Sequence, residues 1–433
     1  MIKSHSVIRS FGLAFSSCGW KSPSVFCSLM ILASCNVGGV NVGGSSGGGG
    51  GVNGGGSSGG GGGVIDTTAP SAPSSLSLVT PGSSPGLDST PTISVGGVVS
   101  GNTVRLFSDS GCATPEIGSA VSDGTSVNIT VNFALSVSSH TIYANATNAI
   151  GTSPCSSLSV SYTLVSCPAE FIPVPHNSSV GTTSEFCVMK YEAKNNGSGR
   201  AVSQVAGNPY VSISMRDSQT KCRDLNALNG VTDKYDLISN PEWMTIARNA
   251  ESVSSNFLAS VMARGWAAHT DTGDTWSNTA AAPSADPNCL YNTGANTCGS
   301  SGGHLYRRTL ALSNGEEIWD LSGNVSEWVD WSHTTASLDL GPTTCAAGWV
   351  EFPAVESDAC YTSGALLSNQ VFPATSNGSS VEGFGRFLGG SYGAARRGGN
   401  WDGGPYAGAF TLHLFNLPEL TRTNLGFRCV YRP

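Results

Sequence analysis

The sequence predicts an all-β sandwich followed by a larger α+β domain, and three observations lead to this prediction. Between residues 66 and 166, short runs of alternating apolar and polar residues are separated by Gly, Pro, Ser and Asn clusters, which is typical of a β-sandwich. Between residues 167 and 433, two segments with helical signals stand among short strands and long Gly-rich loops. Cysteines scattered through both regions indicate disulfide bonds in a fold with much irregular structure.

The length, charge and cysteine content of the chain exclude some classes of function. The chain has 433 residues, which is too long for one ordinary domain. Its formal net charge of -8 and its charged fraction of 12% argue against a nucleic-acid-binding protein, which needs a basic face. Three of the thirteen cysteines lie in the first 35 residues, and the even remainder favours disulfides. The alternative is buried reduced thiols in a cytosolic chain, and the N-terminus argues against it.

The N-terminus has the pattern of a bacterial lipoprotein signal. Basic residues precede an apolar stretch at 25–33 that is too short to span a bilayer. The stretch ends in Leu-Ala-Ser-Cys at 32–35, which resembles the lipobox that is cut before a lipid-carrying cysteine. We therefore predict a signal peptide at 1–34, lipidation of Cys35 and a membrane contact through that lipid. The alternatives are ordinary secretion with Cys35 as a free thiol, or a later start at Met30, which would remove the signal.

Residues 35–65 are predicted to be a flexible tether. They contain the near-repeat VNVGGSSGGGGG and VNGGGSSGGGGG, a composition that has no core and behaves as a random coil. Such a coil would reach on the order of 30 Å. Asn36, rather than Asp, after the lipid cysteine favours export to the outer membrane, so the predicted location is the cell surface.

Residues 66–166 are predicted to form the β-sandwich, with strands at 92–95, 103–107, 127–131, 140–144 and 158–162. The segments DTTAP at 66–70 and YANATNAIG at 143–151 resemble bacterial immunoglobulin-like repeats of surface proteins. Cys112 and Cys155 could form a disulfide bond within this domain. Its expected role is a stalk.

Residues 167–433 contain predicted helices at 218–228 and 240–253. Asn240 is the expected N-cap of the second helix, with Pro241 at its first position and Glu242 in its first turn. Cys289 and Cys298, and likewise Cys345 and Cys360, are close enough in sequence to pair.

Several segments of this region, in the same order, resemble the formylglycine-generating-enzyme (sulfatase-modifying factor) family. They are FCVMKYE at 186–192, YDLISNPEW at 235–243, IWDLSGNVSEW at 318–328, GGSY at 389–392 and GFRC at 426–429. The resemblance implies a variant of the C-type lectin fold over residues of about 170–433. It also implies a structural Ca²⁺ bound by Asp320, Gly323, Val325 and Glu327. Hard oxygens from one tight loop suit that ion. The alternative is an acidic turn without an ion.

The same resemblance implies that this chain is not an enzyme. The family's oxidase chemistry uses two cysteines shortly after the GGSY segment, where they bind copper. Ala394 and Gly399 occupy those places here, so no catalytic residue and no copper are expected. Cys429 is better explained as a disulfide partner, with Cys222 as one candidate. The seven histidines form no helical HxxxH pair, although distant ones could converge, so an enzyme of another kind stays an alternative.

Residues 395–433 resemble the variable segment of diversity-generating retroelement target proteins, whose codons are rewritten at adenines. The framework positions that match are Gly398, Gly399, Trp401, Gly404, Ala407, Gly408, Phe410, Leu412, Leu414, Gly426, Phe427 and Arg428. The positions that are Asn in the template carry Asp402, Gly403, Tyr406, His413, Phe415, Leu420 and Arg422, while Asn416 and Asn424 remain Asn. An AAC or AAT codon changed only at its adenines encodes every one of these residues. Glu419 is not explained in this way.

These nine positions are the predicted ligand-binding residues. Period-two alternation predicts that Phe410, Leu412 and Leu414 point into the core and that Thr411, His413 and Phe415 face outward. The predicted function is a surface-displayed receptor or adhesin for an unknown protein or glycan. The alternatives are a sulfatase-modifying-factor enzyme with a non-standard site, or a fixed structural surface module whose exposed aromatics are incidental.

Overall fold

The computed structural model describes residues 68–258, 260–267, 307–333, 349, 373–374, 382–388 and 393–433. Residues 65–433 form one compact unit. The predicted signal peptide, the lipidated Cys35, the tether, residues 389–392 and the two short-range cysteine pairs lie outside the described residues. Among the helices that are described, none combines the length and the hydropathy that crossing a bilayer requires.

The first part of the described chain consists of two antiparallel sheets. Their strands are β1 Ser75–Thr80, β2 Thr92–Gly96, β3 Thr103–Phe107, β4 Gly118–Val121, β5 Ser126–Thr130, β6 Ser139–Thr147 and β7 Val160–Thr163. One sheet has the order β1-β2-β5 and the other the order β4-β3-β6-β7. Alternate residues such as Ile93, Val104 and Ile142 are buried in one shared core. All five predicted strands are present, and the weaker patterns of β1 and β4 were missed.

The second part is mixed, with two helices among short strands. The helices are α1 Met215–Leu228 and α2 Asn240–Glu251. The strands are β8 Phe171–Val174, β9 Phe186–Met189, β10 Lys194–Asn195, β11 Ala201–Val202, β12 Tyr235–Leu237, β13 Phe257–Leu258, β14 Val261–Met262, β15 Thr309–Ala311, β16 Glu317–Trp319, β17 Ser326–His333, β18 Phe387–Leu388, β19 Gly393–Arg397, β20 Leu412–His413, β21 Leu425–Phe427 and β22 Cys429–Tyr431.

Two sheets organise this part. Four strands have the order β12-β22-β9-β8, so the late strand β22 pairs with β9 from the beginning of the domain. Five strands have the order β18-β20-β19-β17-β21, in which β17 and β21, and likewise β18 and β20, are parallel. The predicted variable segment therefore supplies the inner strand β20 and the edge strand β21.

Both helices begin one or more residues earlier than the sequence patterns indicated. The N-cap of α2 is Ser239, not Asn240, because Ser239 and Glu242 form a reciprocal capping box. Pro241 still lies in the first turn. Similarly, the side chain of Ser214 caps α1 by accepting a hydrogen bond from the Asp217 N–H. In each case the N-cap is the serine immediately before the first residue of the observed helix.

The core of the second part holds the variable segment against the helices. Trp243 of α2 is fully buried, and its indole N–H donates to the carbonyl of Ala409 at 2.8 Å. Trp328 of β17 donates in the same way to the carbonyl of Ile213 at 3.0 Å. A buried tryptophan with a satisfied N–H fixes its neighbours firmly. The first bond ties α2 to the variable segment at Ala409, and the second ties β17 to the chain just before α1.

Three disulfides lie among the described residues. Cys112–Cys155 closes the first part, as the sequence suggested, and Cys222–Cys429 joins α1 to β22. Cys167–Cys187, which ties the chain before β8 to β9, was not predicted. The pairing of Cys429 with Cys222 confirms that this cysteine is a structural residue.

Candidate ligand-binding site

The predicted variable residues line two adjoining cavities on the five-stranded sheet. The larger cavity has a volume of about 650 Å³ and is lined by Arg396, His413, Phe415, Asn416, Leu417, Glu419, Leu420, Arg422 and Asn424. The smaller cavity, of about 290 Å³, is lined by Ser326, Trp349, Arg396, Gly399, Asn400, Asp402, Gly403, Tyr406, Thr411, His413 and Asn424. Each of the nine positions chosen from the sequence lines at least one of them. Positions spread over more than twenty residues of sequence are thus brought to one surface.

The edge of the larger cavity is apolar and open to solvent. Phe415 is 51% exposed and its neighbour Leu417 is also exposed. Leu420 is partly buried against the core, and Arg422 is exposed. Large apolar side chains that are exposed next to a concave surface favour contact with a ligand.

Thr411 and His413 face the cavities, on the side opposite the core, but the expected exposure of both side chains to solvent is wrong. Thr411 is 2% exposed and His413 is 9% exposed. β20 is only two residues long and lies between β18 and β19, and the side chains of Trp349 and Tyr406 lie over this face. The period-two pattern predicted the opposite side correctly, since Phe410, Leu412 and Leu414 are fully buried.

Asn416 is also buried, and its amide is used inside the protein. The amide nitrogen lies 2.6 Å from Nδ1 of His413 and donates to the His413 carbonyl at 3.2 Å. Its role is therefore to position His413 at the base of the cavities, rather than to present a side chain at the surface. Burial, followed by the positive charge of Arg396, lowers the pKa of His413 to about 3. His413 is consequently neutral at physiological pH.

An aromatic stack forms one wall of the smaller cavity. The rings of Trp349 and Tyr406 are stacked with centroids 5.1 Å apart and planes 9° from parallel. The guanidinium of Arg386 lies 4.7 Å from the centroid of the Tyr406 ring, within the range of a cation–π interaction. Trp349 was not selected from the sequence because it lies more than fifty residues before Tyr406.

The residue that sequence reasoning missed at the centre of the site is Arg396. It lies on β19, on the face opposite Arg397, and it lines both cavities. The strand pattern Ala-Ala-Arg-Arg was a usable signal, because two consecutive residues of a strand must point to opposite faces. One arginine had to be buried and the other had to face the site.

The framework positions have strict backbone requirements. Gly399 has φ +74°, and a Cβ atom there would lie 2.5 Å from the Cα of Ala407. At Gly408 a Cβ atom would lie 2.3 Å from the carbonyl carbon of Phe384. Arg397 is fully buried and donates to the side chain of Asn240 and to the carbonyl of Phe410. Gly408 and Arg397 therefore support the site from beneath, whereas Gly399 also lines the smaller cavity.

The segment predicted to bind calcium has a different arrangement. Asp320 is bound through both carboxylate oxygens by Arg308, at 2.7 and 2.6 Å. Glu327 is bound in the same way by Arg428, at 2.7 and 2.5 Å. Both oxygens of each carboxylate thus accept hydrogen bonds from a guanidinium group. In this arrangement a calcium ion does not fit the predicted ligand set of Asp320, Gly323, Val325 and Glu327. The described residues contain no group of three or more His, Cys, Asp or Glu side chains placed to hold a metal.

A further charged pair is buried beside these ion pairs. Glu192 accepts hydrogen bonds from the side chain of Asn324 and from the backbone N–H of Val325. Its carboxylate lies 4.0 Å from Nζ of Lys194. Burial, followed by the charge of Asp320, raises the pKa of Glu192 well above its ordinary value. Together with the two ion pairs, these groups form a cluster of three acidic and three basic side chains where the calcium loop was expected.

The comparisons with known proteins agree with the resemblance seen in the sequence. The family profile of the sulfatase-modifying factor enzyme 1-like domain matches residues 146–433. No curated protein is significantly similar to the chain.

Two solved structures are similar over part of it. One is variable protein 1 of Treponema denticola, with 15% identity, a TM-score of 0.26, and coverage of 58% of this chain and 85% of that one. The other is the BSP domain of a biofilm-associated protein, with 22% identity and a TM-score of 0.17 over 22% of this chain. This chain spans about 15% of the length of that protein. Because the family profile matches well over half of its residues, the chain belongs to the sulfatase-modifying factor enzyme 1-like domain family.

Proposed function

We propose that the chain is a lipid-anchored surface receptor or adhesin that binds a protein or glycan ligand through the two cavities. One observation carries the proposal: the seven positions whose residues fit an Asn codon changed at its adenines all line the cavities, whereas of the twelve framework positions only Gly399 does. A segment that varied only for structural reasons would not divide in this way. Anchoring through Cys35, export to the outer membrane and the tether at 35–65 complete the proposal.

The proposal includes the fold. We infer that residues 66–166 form an immunoglobulin-like stalk and that residues 167–433 are a C-type-lectin-fold domain. The two-sheet arrangement of the first part and the pairing of the late strand β22 with the early strand β9 support this inference. Nucleic acid is not an expected partner, because the net charge is -8.

We further propose that the chain is not an enzyme. The two positions that correspond to the family's copper-binding cysteines are Ala394 and Gly399. Gly399 has a positive φ and no space for a side chain, so a thiol at that position would require a change of backbone.

DNA sequencing tests whether the segment is diversified. The expected result is a second, near-identical copy of the segment downstream, with AAC or AAT at the codons that match 402, 403, 406, 413, 415, 420 and 422. A reverse transcriptase gene is expected beside it. A segment that is constant among clones and has no second copy would instead indicate a fixed binding or structural module.

Replacing Phe415 with serine is expected to weaken ligand binding by about tenfold or more, because exposed aromatic residues commonly dominate an interface. The midpoint of thermal unfolding should hardly change, since a half-exposed side chain contributes little to the core. Ligands are first identified by testing the unmodified chain on a glycan and protein array. The affinity of the variant for those ligands is then measured.

Leu228→Ser is the matched control. Leu228 is a similarly exposed apolar residue at the end of α1, and it lines neither cavity. This variant should bind normally. If Leu228→Ser and Phe415→Ser lost binding equally, or if Phe415→Ser unfolded the domain, the assignment of the surface would be incorrect.

A further inference from the structure

The junction of the two cavities carries an uncompensated positive charge. Arg396, His413 and Asn424 are the residues that line both cavities, and none of them is acidic. The acidic residues lie at the outer edges, where Asp402 and Glu419 are exposed. Glu419 already pairs with Arg216 at 3.0 Å, so its charge is largely balanced. The charge that faces the junction is that of Arg396.

Arg396 and Arg397 differ in how their guanidinium groups are satisfied. Arg397 donates hydrogen bonds to Asn240 and to the carbonyl of Phe410. Within the described ranges, no ion pair or hydrogen bond is made by the side chain of Arg396. Burial, followed by the positive charge of Arg422, lowers the pKa of Arg396 to about 10, although the charge of Asp402 acts in the opposite direction. An anion at this point would replace the solvation that the guanidinium has lost.

His413 adds a neutral donor to the junction. The amide nitrogen of Asn416 can only donate and lies 2.6 Å from Nδ1 of His413, so Nδ1 is the acceptor of that pair. The proton of the neutral imidazole is therefore on Nε2. An acceptor atom bound beside Arg396 can receive that hydrogen bond without the cost of burying a second charge.

The surroundings of the junction are apolar on the side of the larger cavity and aromatic on the side of the smaller one. Phe415 and Leu417 are exposed at the larger cavity. The stacked rings of Trp349 and Tyr406 border the smaller. A ligand that satisfies both features carries an anionic group directly beside an apolar or aromatic group.

We propose that Arg396 binds a carboxylate of the ligand, with Nε2 of His413 as a second donor, and that the adjoining apolar part of the ligand packs on Phe415 or Tyr406. Planar guanidinium and carboxylate groups match in a two-bond geometry. The inference rests on the proposed ligand-binding function and specifies the class of ligand. Arg396 is outside the substituted positions, whereas Phe415 and Tyr406 are among them. Natural versions of the protein that differ at the substituted positions would therefore all bind the carboxylate through Arg396. They would differ in the side chains that contact the apolar part of the ligand.

A pair of small probes tests this on the full chain. N-acetyl-L-phenylalanine carries the carboxylate, and N-acetyl-L-phenylalaninamide is its neutral counterpart of nearly equal shape. Saturation-transfer NMR titrations should show that the amide binds about tenfold more weakly than the acid, as expected for loss of a charge-assisted hydrogen bond. In Arg396→Gln the acid should bind as weakly as the amide. Arg223→Gln, which removes an exposed arginine outside the cavities, should retain the preference.

The outcomes separate the two proposals. If the amide binds the unmodified chain as tightly as the acid, or if Arg396→Gln keeps the preference, the anion anchor is overturned, while ligand binding by the cavities stands. Absence of binding by both probes also overturns it. The comparison on the unmodified chain needs no substitution, so poor folding of a variant would not obscure the result. Diversification of the segment is decided separately by sequencing.

Discussion

Replacing Arg428 with methionine is expected to lower the free energy of unfolding by about 3–5 kcal/mol, because it leaves the fully buried carboxylate of Glu327 without its partner. The guanidinium of Arg428 also donates to the carbonyls of Met189 and Trp319, each at 3.0 Å. Burial by itself would lower the pKa of Arg428, but the charge and hydrogen bonds of Glu327 raise it above its ordinary value. Urea unfolding followed by tryptophan fluorescence measures the effect.

Arg432→Met is the matched control for this prediction. Arg432 lies just after β22 and pairs with Glu242 at 2.7 Å, but its side chain is partly exposed. Its removal should cost about 1 kcal/mol or less, as for other solvent-screened ion pairs. Equal losses in the two variants would show that burial of the Arg428 pair is not what makes it important.

Replacing both Cys222 and Cys429 with alanine is expected to destabilise the second part of the chain by about 5 kcal/mol, since the disulfide closes a loop of 207 residues. The larger the closed loop, the more conformational freedom the cross-link removes from the unfolded chain. Both cysteines are fully buried, so loss of packing adds to the effect. The readout is again tryptophan fluorescence during urea unfolding.

The disulfide Cys112–Cys155 provides an internal comparison. It closes a loop of 43 residues in the two-sheet part, where the same reasoning gives about 4 kcal/mol. Residues 66–166 contain no tryptophan, so fluorescence reports only on the rest of the chain. Removing Cys112 and Cys155 should therefore leave the fluorescence transition in place. A matching shift in both double variants would mean that the two parts unfold as one unit.

The elements predicted most reliably were those that depend on local pattern. Alternation predicted the inner strands of the first part, and the Asn-Pro-Glu signal placed the start of α2 within one residue. The buried row of Phe410, Leu412 and Leu414 followed from the same reasoning. These features are decided by residues that are close in sequence.

Sequence reasoning was insufficient where distant residues decide the environment. Nothing near Asp320 or Glu327 indicates that Arg308 and Arg428 bind them, because Arg428 follows Glu327 by 101 residues. In the same way, His413 is covered by Trp349, which is far from it in sequence. Alternation gives the direction of a side chain, but only tertiary packing determines whether that direction leads to solvent.

The position of β22 limits which genetic changes the segment can tolerate. Arg428 and Cys429 follow residues 402–424 in the chain, and each is tied to an earlier element, at Glu327 and at Cys222. A stop codon or a shift of reading frame within 402–424 would delete β21, β22 and both ties at once. We therefore expect that truncated or frame-shifted chains do not fold. Any process that rewrites this segment must therefore preserve its reading frame and introduce no stop codon.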